Sequence, residues 1–521
     1  MNKTVLILFS SLFMVLFDNF TFFQKSFAVF DSFGFMFSLG VTLSLVIALL
    51  IVLLDFRWSL KPLLVVLFLV GAVSGYFVDS YGVIIDDKMV QNLFETDASE
   101  AFGLINLKLF IYLFFLGVLP SIFVIKLKLN HLSFFKNLIY KLKMVVFILV
   151  VLGINIYAFS KAYTTFGREY KILRFQTNPT YPIYSFFYYL HEKYFAKEMA
   201  FTKIGKDAKL VSGKKPKLFI FVVGEALRWD HFELNGYPKQ TNPMLKNDKE
   251  IVNLKNFFSC GTETAVSVPC MFSDLTRKSY SDQKAKHRSS LVDVLNYAGV
   301  RVLWKDNNSD SKGVALRIKN YVDIKNSCDG ECRDEKLLEG LDEFVREQKD
   351  TFIVLHQMGS HGPEYYKRTD EKFKKFKPEC KTNQLQKCSK ESISNAYDNT
   401  VVYTDYFISK VKEFLKKHKN SYQVGLWYSA DHGESLGEKG IYLHGLPYFI
   451  APEAQKHPAS LVWFGDDFEV DRECLRTLES KKLSHDNIFS SVLGVMGVKT
   501  KVYDKSLDIF VKCYQNRDGK I

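Results

Sequence analysis

The amino-acid sequence predicts an N-terminal transmembrane domain of five helices, followed by a water-soluble α/β domain. Long apolar runs fill the first 160 residues, whereas the later residues alternate short apolar runs with polar, helix-like stretches. All eight cysteines come after residue 259, so the two parts also differ in their cysteine content. A chain of 521 residues is long enough for two or three domains. We therefore divide it at residues 1–160, 161–214 and 215–521.

Five apolar segments each come close to the roughly 20 residues that a helix needs to cross the hydrocarbon core of a bilayer. They cover residues 4–23, 34–54, 62–78, 106–125 and 144–160. The first segment lacks a small-residue cleavage site and four more segments follow it, so it is not interpreted as a signal peptide.

The charges of the connecting loops predict the orientation of these segments. Loop 126–143 carries five lysines and loop 55–61 carries an arginine and a lysine, whereas loops 24–33 and 79–105 carry one lysine each. This bias places the N-terminus and the basic loops in the cytoplasm. Since five crossings is an odd number, everything after residue 160 is predicted to lie outside.

Residues 161–214 are predicted to bridge the two domains. The first 40 of them are rich in tyrosine and phenylalanine, which suit the boundary between membrane and water. We expect a pair of interfacial helices there; an aromatic segment of an ordinary core is the alternative.

The cysteine count is even and is confined to the soluble part, which favours disulfides in an oxidising compartment. No CxxC pair occurs, which argues against a zinc ribbon. Three pairs are close enough in sequence to close small loops: Cys260 with Cys270, Cys328 with Cys332, and Cys380 with Cys388.

The net charge of +13 is consistent with solubility alone or with docking to anionic lipid. No arginine-rich arm or nucleic-acid motif stands out, so nucleic acid is not an expected partner.

The soluble part contains five short apolar runs that predict strands of a parallel sheet covered on both faces. In such sheets ligands bind beyond the carboxyl ends of the strands. The runs are Leu218–Val223, Val300–Trp304, Phe352–Leu355, Val424–Tyr428 and Leu461–Phe464.

Four of these runs end in small residues mixed with acidic and basic ones: GEALR, KDNNSDSK, HQMGSHGP and SADHGES, the last with LHG a little later. Carboxylates and imidazoles that converge on one edge are typical ligands of Zn²⁺. Asp431 and His432 are candidates for two ligands and Glu225 for a third. Each alone is more typical of a helix cap or a hydrogen-bonded core residue, so the prediction depends on their shared placement.

A hydroxyl-rich segment, SCGTETAVSVPC, lies between Cys260 and Cys270. A hydroxyl becomes a nucleophile only with a base or a metal beside it, and a helix N-terminus there would suit a phosphate. The chemistry of the segment does not choose between Thr262, Thr264 and Ser267, and helix capping is the alternative role for all three.

Six ordered motifs resemble those of the phosphoethanolamine transferases of Gram-negative inner membranes, which include the lipid A enzymes behind polymyxin resistance. The motifs are VVGEALRWDHFELNGYPKQTNP, CGTETAVSVPCMFS, WKDNNSDSKG, HQMGSHGP, ADHGES and YLHGLP. The resemblance covers nearly the whole chain. It implies five membrane spans, a bridging segment and a periplasmic domain of the alkaline-phosphatase/sulfatase-like fold.

The resemblance selects Thr264 as the nucleophile. It implies one tightly bound Zn²⁺, with a second ion as an open alternative. The implied zinc ligands are Glu225, Thr264, Asp431 and His432, and the implied contacts to substrate or a second metal are His361, His444, Ser309 and Lys312.

In the outside loop 79–105, the resemblance implies contacts from Asn92, Thr96 and Glu100 to the phosphoethanolamine headgroup. Their four-residue spacing puts them on one face of a helix, as it would on any polar helix face. The family's disulfides agree with Cys260–Cys270 and Cys380–Cys388. Cys328–Cys332 fits less well because its loop is short, and Cys474–Cys513 follows only by elimination.

The implied reaction moves phosphoethanolamine from phosphatidylethanolamine to Thr264, releases diacylglycerol, and then passes the group to a phosphate of lipid A or another lipopolysaccharide or surface acceptor. The added ammonium should weaken the binding of polymyxin and other cationic peptides. The implied location is the inner membrane, with the catalytic domain in the periplasm, and we expect a monomer.

Three other functions agree less well with the sequence. A sulfatase needs Cys or Ser followed by x-Pro-x-Arg, but Ser267–Val268–Pro269–Cys270 is followed by Met271. A phosphoglycerol transferase of the lipoteichoic-acid type shares the five spans and the Thr nucleophile, but the paired cysteines and the SHGP and LHGLP motifs favour phosphoethanolamine. A non-catalytic membrane scaffold would be expected to lack one or more metal ligands, and all of them are present.

Overall fold

The computed structural model describes the chain except residues 1, 31, 57, 96–102, 130–132, 171, 196–198, 212, 214, 329, 469 and 515–521. The chain forms two compact units, Met1–Ala196 and Lys197–Ile521. Thr96 and Glu100 lie outside the described residues.

The first unit is helical. Among its described residues, four helices are long and apolar enough to cross a membrane: Phe33–Leu54, Leu60–Tyr81, Leu107–Lys126 and Phe134–Ala158. They overlap the second to fifth predicted spans, but the last helix begins ten residues earlier than predicted, within the predicted loop 126–143. The third of them widens to a π-helix at Leu113–Val118, just before Pro120, which has no backbone N–H to donate.

The first predicted span, residues 4–23, is wrong as a single straight helix. The structure has two helices there, Lys3–Phe17 and Phe20–Val29, which meet at an angle of 66°. The buried polar pair Asp18 and Asn19 separates them. The amide of Asn19 donates to the carbonyl of Met14 (3.0 Å) and to that of Asn178 (2.8 Å), so side-chain bonds replace the regular helix at the break. The pair counts as a fifth span only if both helices are taken together.

Shorter helices complete the described part of this unit: Asp87–Glu95, Ser160–Glu169, a 3₁₀ turn at Leu173–Gln176, and Thr180–Tyr194. The last one carries stacked rings along one face. The ring centroids of Tyr181 and Tyr184 are 6.0 Å apart, and those of Tyr184 and Tyr188 are 6.1 Å apart.

The second unit is built on a seven-stranded sheet with the order β3-β11-β8-β2-β7-β5-β6. The strands of the unit are β1 (Lys209–Leu210), β2 (Lys217–Gly224), β3 (Val252–Asn253), β4 (Phe257–Phe258), β5 (Arg301–Asp306), β6 (Asn320–Asp323), β7 (Thr351–His356), β8 (Gln423–Ala430), β9 (Ser435–Leu436), β10 (Tyr442–Leu443), β11 (Ser460–Phe464), β12 (Leu483–Ser484) and β13 (Val498–Lys499). Five neighbours, from β8 to β6, run parallel, so their carboxyl ends share one edge.

The prediction of a parallel strand at Leu461–Phe464 is wrong, because β11 runs antiparallel to β8. A parallel neighbour would need a connection that crosses back to the other edge of the sheet. Instead, the chain stays at the edge where β8 ends, forms the loop 431–459 there, and returns directly along β8.

Helices cover both faces of the sheet. Alternate residues of β2 enter two different cores: Phe219, Phe221 and Val223 on one side, Leu218, Ile220 and Val222 on the other. The first core includes helices Leu291–Tyr297 and Ile488–Met496, and the second includes the long helix Lys390–Lys417. The remaining α-helices among the described residues of this unit are Thr264–Met271, Asp282–Lys286, Leu341–Phe344, Glu453–Lys456 and Arg472–Arg476.

The second unit contains four disulfides. Their Cα–Cα distances lie between 5.3 and 6.1 Å, within the range that a disulfide bridges without backbone movement. The pairs are Cys260–Cys270, Cys328–Cys332, Cys380–Cys388 and Cys474–Cys513. The short-loop pair and the pair inferred by elimination are therefore both formed.

Candidate active site

The predicted site residues follow the strands of the parallel block. Glu225 comes directly after β2, and Asp431 and His432 come directly after β8, the neighbouring strand. Thr264 is the first residue of the helix Thr264–Met271. The sheet geometry that places strand ends together thus brings the two ligand-bearing turns side by side, and the helix supplies the hydroxyl.

The hydroxyl of Thr264 lies against both turns. Its Oγ1 is 3.0 Å from Oε2 of Glu225 and 3.5 Å from Nε2 of His432. Glu225 and His432 are fully buried, and the side chain of Thr264 is nearly so. The structure therefore selects Thr264 from the three hydroxyls of its segment as the one that faces the acidic and imidazole groups.

The oxygens around His432 have the spacing of metal ligands. Its Nε2 is 3.3 Å from Oε1 of Glu225 and 3.4 Å from Oδ2 of Asp431. Both oxygens are buried and accept no hydrogen bond among the described residues, which is costly without a cation. Ligands at ~2.0 Å from a tetrahedral Zn²⁺ would lie about 3.3 Å from one another. The residues present, with Thr264, therefore fit a zinc ion.

The electrostatics of the cluster point the same way. Burial lowers the pKa of His432 to about 3, so its imidazole is neutral. Its Nδ1–H donates to the carbonyl of Gly433 (2.8 Å), which leaves the lone pair on Nε2 facing the carboxylates. Burial also raises the pKa of Asp431 well above its usual range, and the neighbouring Glu225 raises it further. A bound cation would instead favour the ionised carboxylate and so lower the pKa of Asp431.

His444 and His361 lie beside His432. The ring centroid of His444 is 4.4 Å from that of His432 and 5.6 Å from that of His361. Its Nδ1 pairs with Oε1 of Glu434 at 3.2 Å. Burial lowers the pKa of His444, but the carboxylates of Glu434, Glu225 and Asp431 together raise it to about 10. One ligand atom each of Glu225, His432 and His444 lie within 4.8 Å of one another.

The loop after β5 approaches the site through Asn308. Its amide donates to Oε2 of Glu225 (2.8 Å) and to the carbonyl of Gln357 (2.9 Å). Ser309 is the next residue. Lys312 lies in the same loop with a left-handed backbone (φ 49°), and the contacts of the described residues do not connect its ammonium with the carboxylates.

Asn92 lies on the helix Asp87–Glu95 of the first unit. Thr96 and Glu100, predicted to share its helix face, fall outside the described residues. The headgroup contacts assigned to these three residues therefore stay a prediction.

Several side chains that contact or support the candidate site were not predicted from the sequence. Asn308 and Glu434 stand inside the strand-end motifs, so their position was a usable signal. Asp334 gave no such signal because it lies in a 3₁₀ turn. Its buried carboxylate accepts the backbone N–H groups of Met358 (2.9 Å) and Gly359 (3.2 Å) and thereby orders the loop that leads to His361.

Glycine is required at one point of this loop. Gly359 has a φ of +50°, and a Cβ there would lie 3.0 Å from the backbone N and O of Glu225. The loop after β7 can therefore pack directly on the Glu225 turn only because residue 359 has no side chain.

The fold and the site together define a membrane-anchored member of the alkaline-phosphatase superfamily. Residues 217–498 match the family model described as Sulfatase, and residues 43–194 match the one described as Phosphoethanolamine transferase EptA/EptB. The chain belongs to the phosphoethanolamine transferase family.

Relatives match along nearly the full length. The chain is 41% identical to phosphatidylethanolamine transferase Mcr-2 of Escherichia coli over 97% of both chains. It is 39% identical to phosphoethanolamine transferase EptA of Escherichia coli (strain K12) over 91% of this chain and 90% of the relative. The solved lipooligosaccharide phosphoethanolamine transferase A of Neisseria meningitidis superposes with a TM-score of 0.95, at 32% identity, over 99% of both chains.

These comparisons confirm the family resemblance and the combination of a helical membrane domain with an alkaline-phosphatase-type domain. The match to the Sulfatase family model concerns the fold of the second unit. The Arg of the sulfatase motif is still absent, since Met271 stands in its place.

Proposed function

We propose that this protein transfers phosphoethanolamine from phosphatidylethanolamine to a phosphate of lipid A, or of another lipopolysaccharide or surface acceptor, through a covalent phosphoethanolamine–Thr264 intermediate. One observation carries the proposal: the buried Thr264 hydroxyl lies 3.0 Å from Glu225 and 3.5 Å from His432, between groups that fit a zinc ion. The names of the relatives point to the donor in Mcr-2 and to a lipooligosaccharide acceptor in the Neisseria enzyme.

Glu225, Asp431, His432 and Thr264 would hold the zinc ion. When bound, Zn²⁺ lowers the pKa of a coordinated hydroxyl and offsets negative charge on a phosphate.

In the donor half of the reaction, Oγ1 of Thr264 forms a bond to the phosphorus of phosphatidylethanolamine as the bond from phosphorus to the glycerol oxygen breaks. The proton that Thr264 loses is balanced by the one that the departing diacylglycerol hydroxyl gains. Thr264 starts a helix, so backbone N–H groups of its first turn are available to the phosphate oxygens. His444, whose ring lies 4.4 Å from that of His432, and His361, whose ring lies 5.6 Å from that of His444, would donate a proton to the departing oxygen.

In the acceptor half, an oxygen of the acceptor phosphate bonds to the same phosphorus. The Thr264 oxygen then leaves and regains a proton, so the enzyme returns to its starting state. The modified acceptor carries the ammonium of phosphoethanolamine next to the phosphate to which the group was added. This loss of net negative charge is expected to weaken the binding of polymyxin and other cationic peptides to the cell surface.

Both lipids belong to the membrane, which accounts for the helical domain. We place the protein in the inner membrane, with the second unit in the periplasm. The lysine bias of the loops and the four disulfides support that side, because disulfides form in oxidising compartments.

Mass spectrometry of lipid A from cells that express each variant tests the proposal. Wild-type cells should gain phosphoethanolamine on lipid A, and Thr264→Ala cells should not. Thr262→Ala is the matched control, because the Thr262 hydroxyl donates to the carbonyl of Leu446 (2.6 Å) and does not face Glu225. It should retain most of the modification. An unmodified lipid A in wild-type cells would refute this acceptor.

A further inference from the structure

Two cations gather over one tyrosine ring in the second unit. The guanidinium carbon of Arg277 lies 3.4 Å from the ring centroid of Tyr448, and the ammonium of Lys456 lies 5.4 Å from it. Arg277 is exposed, whereas Tyr448 and Lys456 are half-buried. Cation–π contact holds each charge near the ring but leaves two like charges close together.

No carboxylate among the described residues forms an ion pair with either cation. Asp486 accepts the backbone N–H of Arg277 (2.7 Å) rather than its guanidinium, and Glu453 pairs with His457 (3.1 Å). Burial lowers the pKa of Lys456, and the charge of Arg277 lowers it further. Such a cluster is stabilised by an anion from outside the chain.

The cluster of Arg277, Tyr448 and Lys456 is hydrogen-bonded to the segment that carries Thr264. The Tyr448 hydroxyl donates to the carbonyl of Ser259 (3.0 Å), and the N–H of Ser259 donates to the carbonyl of Lys456 (2.8 Å). Thr264 is the fifth residue after Ser259, so the two backbones are at most about 18 Å apart. The same stretch of chain is also tied to Thr262, whose hydroxyl donates to the carbonyl of Leu446 (2.6 Å), two residues before Tyr448. The cations therefore lie on a segment that is hydrogen-bonded to the loop leading to Thr264.

We propose that Arg277 and Lys456 bind a phosphate of the acceptor glycolipid other than the phosphate that is modified. The inference rests on the proposed function and deepens it: the acceptor is a headgroup with at least two anionic groups. Arg277 offers its planar fork to phosphate oxygens and Lys456 adds a second charge. Both are acceptor-binding residues and have no part in cleaving the donor.

The test measures transfer by the purified full-length protein to two acceptors, bisphosphorylated and monophosphorylated lipid A. Loss of charged contacts at this half-exposed site should raise KM about tenfold. We expect Arg277→Gln/Lys456→Gln to raise KM for the bisphosphorylated acceptor to the value for the monophosphorylated one, with kcat within twofold. Diacylglycerol release without an acceptor should be unaltered, which also shows that the variant is folded.

A control variant, Lys349→Gln/Lys417→Gln, removes the same charge at exposed positions that precede β7 and β8, at the opposite edge of the sheet. It should keep the wild-type preference for the bisphosphorylated acceptor. An unaltered KM in the Arg277/Lys456 variant would overturn the inference, as would an equal loss of donor cleavage or of transfer to both acceptors. If the wild-type protein transfers nothing to either lipid, the proposed function fails instead.

Discussion

Two buried carboxylate–histidine groups lie at the same edge of the sheet, and they differ in how their oxygens are satisfied. Asp306 accepts hydrogen bonds on both oxygens, from Nδ1 of His356 (2.9 Å) and from the backbone N–H of Asn308 (2.8 Å). Glu225 Oε1 and Asp431 Oδ2 accept none among the described residues. The residue types are alike, so the missing donors are what distinguish a metal site from a structural pair.

Removing a carboxylate of the second group should have the largest effect on transfer activity. Asp431→Asn keeps the shape but removes a charge beside His432. We expect transfer activity to fall by at least about 1000-fold, in keeping with the loss of a metal that activates the nucleophile. Metal analysis of the purified variant should show less than one zinc ion per chain. Full zinc content with full activity would mean that Asp431 is not a ligand.

Metal removal should have the same result without a mutation. Dialysis of the wild-type protein against a chelator is expected to abolish transfer, and added Zn²⁺ should restore it. Asp431→Asn provides the control, since its activity should not recover at the same zinc concentration. Undiminished transfer by the metal-free protein would contradict the assignment of the cluster.

A smaller effect is expected at Asn308, which touches Glu225 without facing the proposed ion. Its amide donates to Glu225 Oε2 at 2.8 Å and fixes that carboxylate. Loss of such a supporting contact typically weakens metal binding by roughly 10- to 100-fold. Asn308→Ala should therefore need more Zn²⁺ for half-maximal activity, while saturating Zn²⁺ restores much of kcat. A zinc titration of activity measures both.

A substitution in the first group, Asp306 with His356, should lower the stability of the protein and leave its metal content unaltered. Burial raises the pKa of Asp306, but the contact with His356 and the hydrogen bonds from Trp304 and Asn308 together lower it. Asp306→Asn leaves a buried histidine without its charged partner, which costs on the order of 3 kcal/mol. The variant should melt at a lower temperature in thermal unfolding and still bind one zinc ion. Loss of zinc with an unaltered melting temperature would mean that Asp306 and His356 are not a structural pair separate from the metal site.

Much of this site was predictable because parallel strands bring their carboxyl ends together. That rule alone joined Glu225 with Asp431 and His432, although the three are far apart in sequence. The choice of Thr264 over Thr262 was not predictable from chemistry, because it depends on which side of a helix start faces the strand ends. The family resemblance supplied it, and the 3.0 Å contact agrees with it.

The parts that sequence reasoning missed depend on tertiary contacts. Asp334 accepts backbone N–H groups of a loop that is distant in sequence, and no local sequence pattern indicates that the two meet. The antiparallel direction of β11 follows from where its connection lies, not from its apolar residues. The break at Asp18 and Asn19 was visible as two polar residues within an apolar run, but hydropathy averages over them.

The most direct test of the central claim looks for the covalent intermediate. The purified protein is incubated with phosphatidylethanolamine in the absence of acceptor, digested and analysed by mass spectrometry. We expect one phosphoethanolamine group on the peptide that contains Thr264, attached at Thr264 and lost on addition of lipid A. A modification at Thr262 or Ser267, or none in a preparation that releases diacylglycerol and transfers the group, would contradict it.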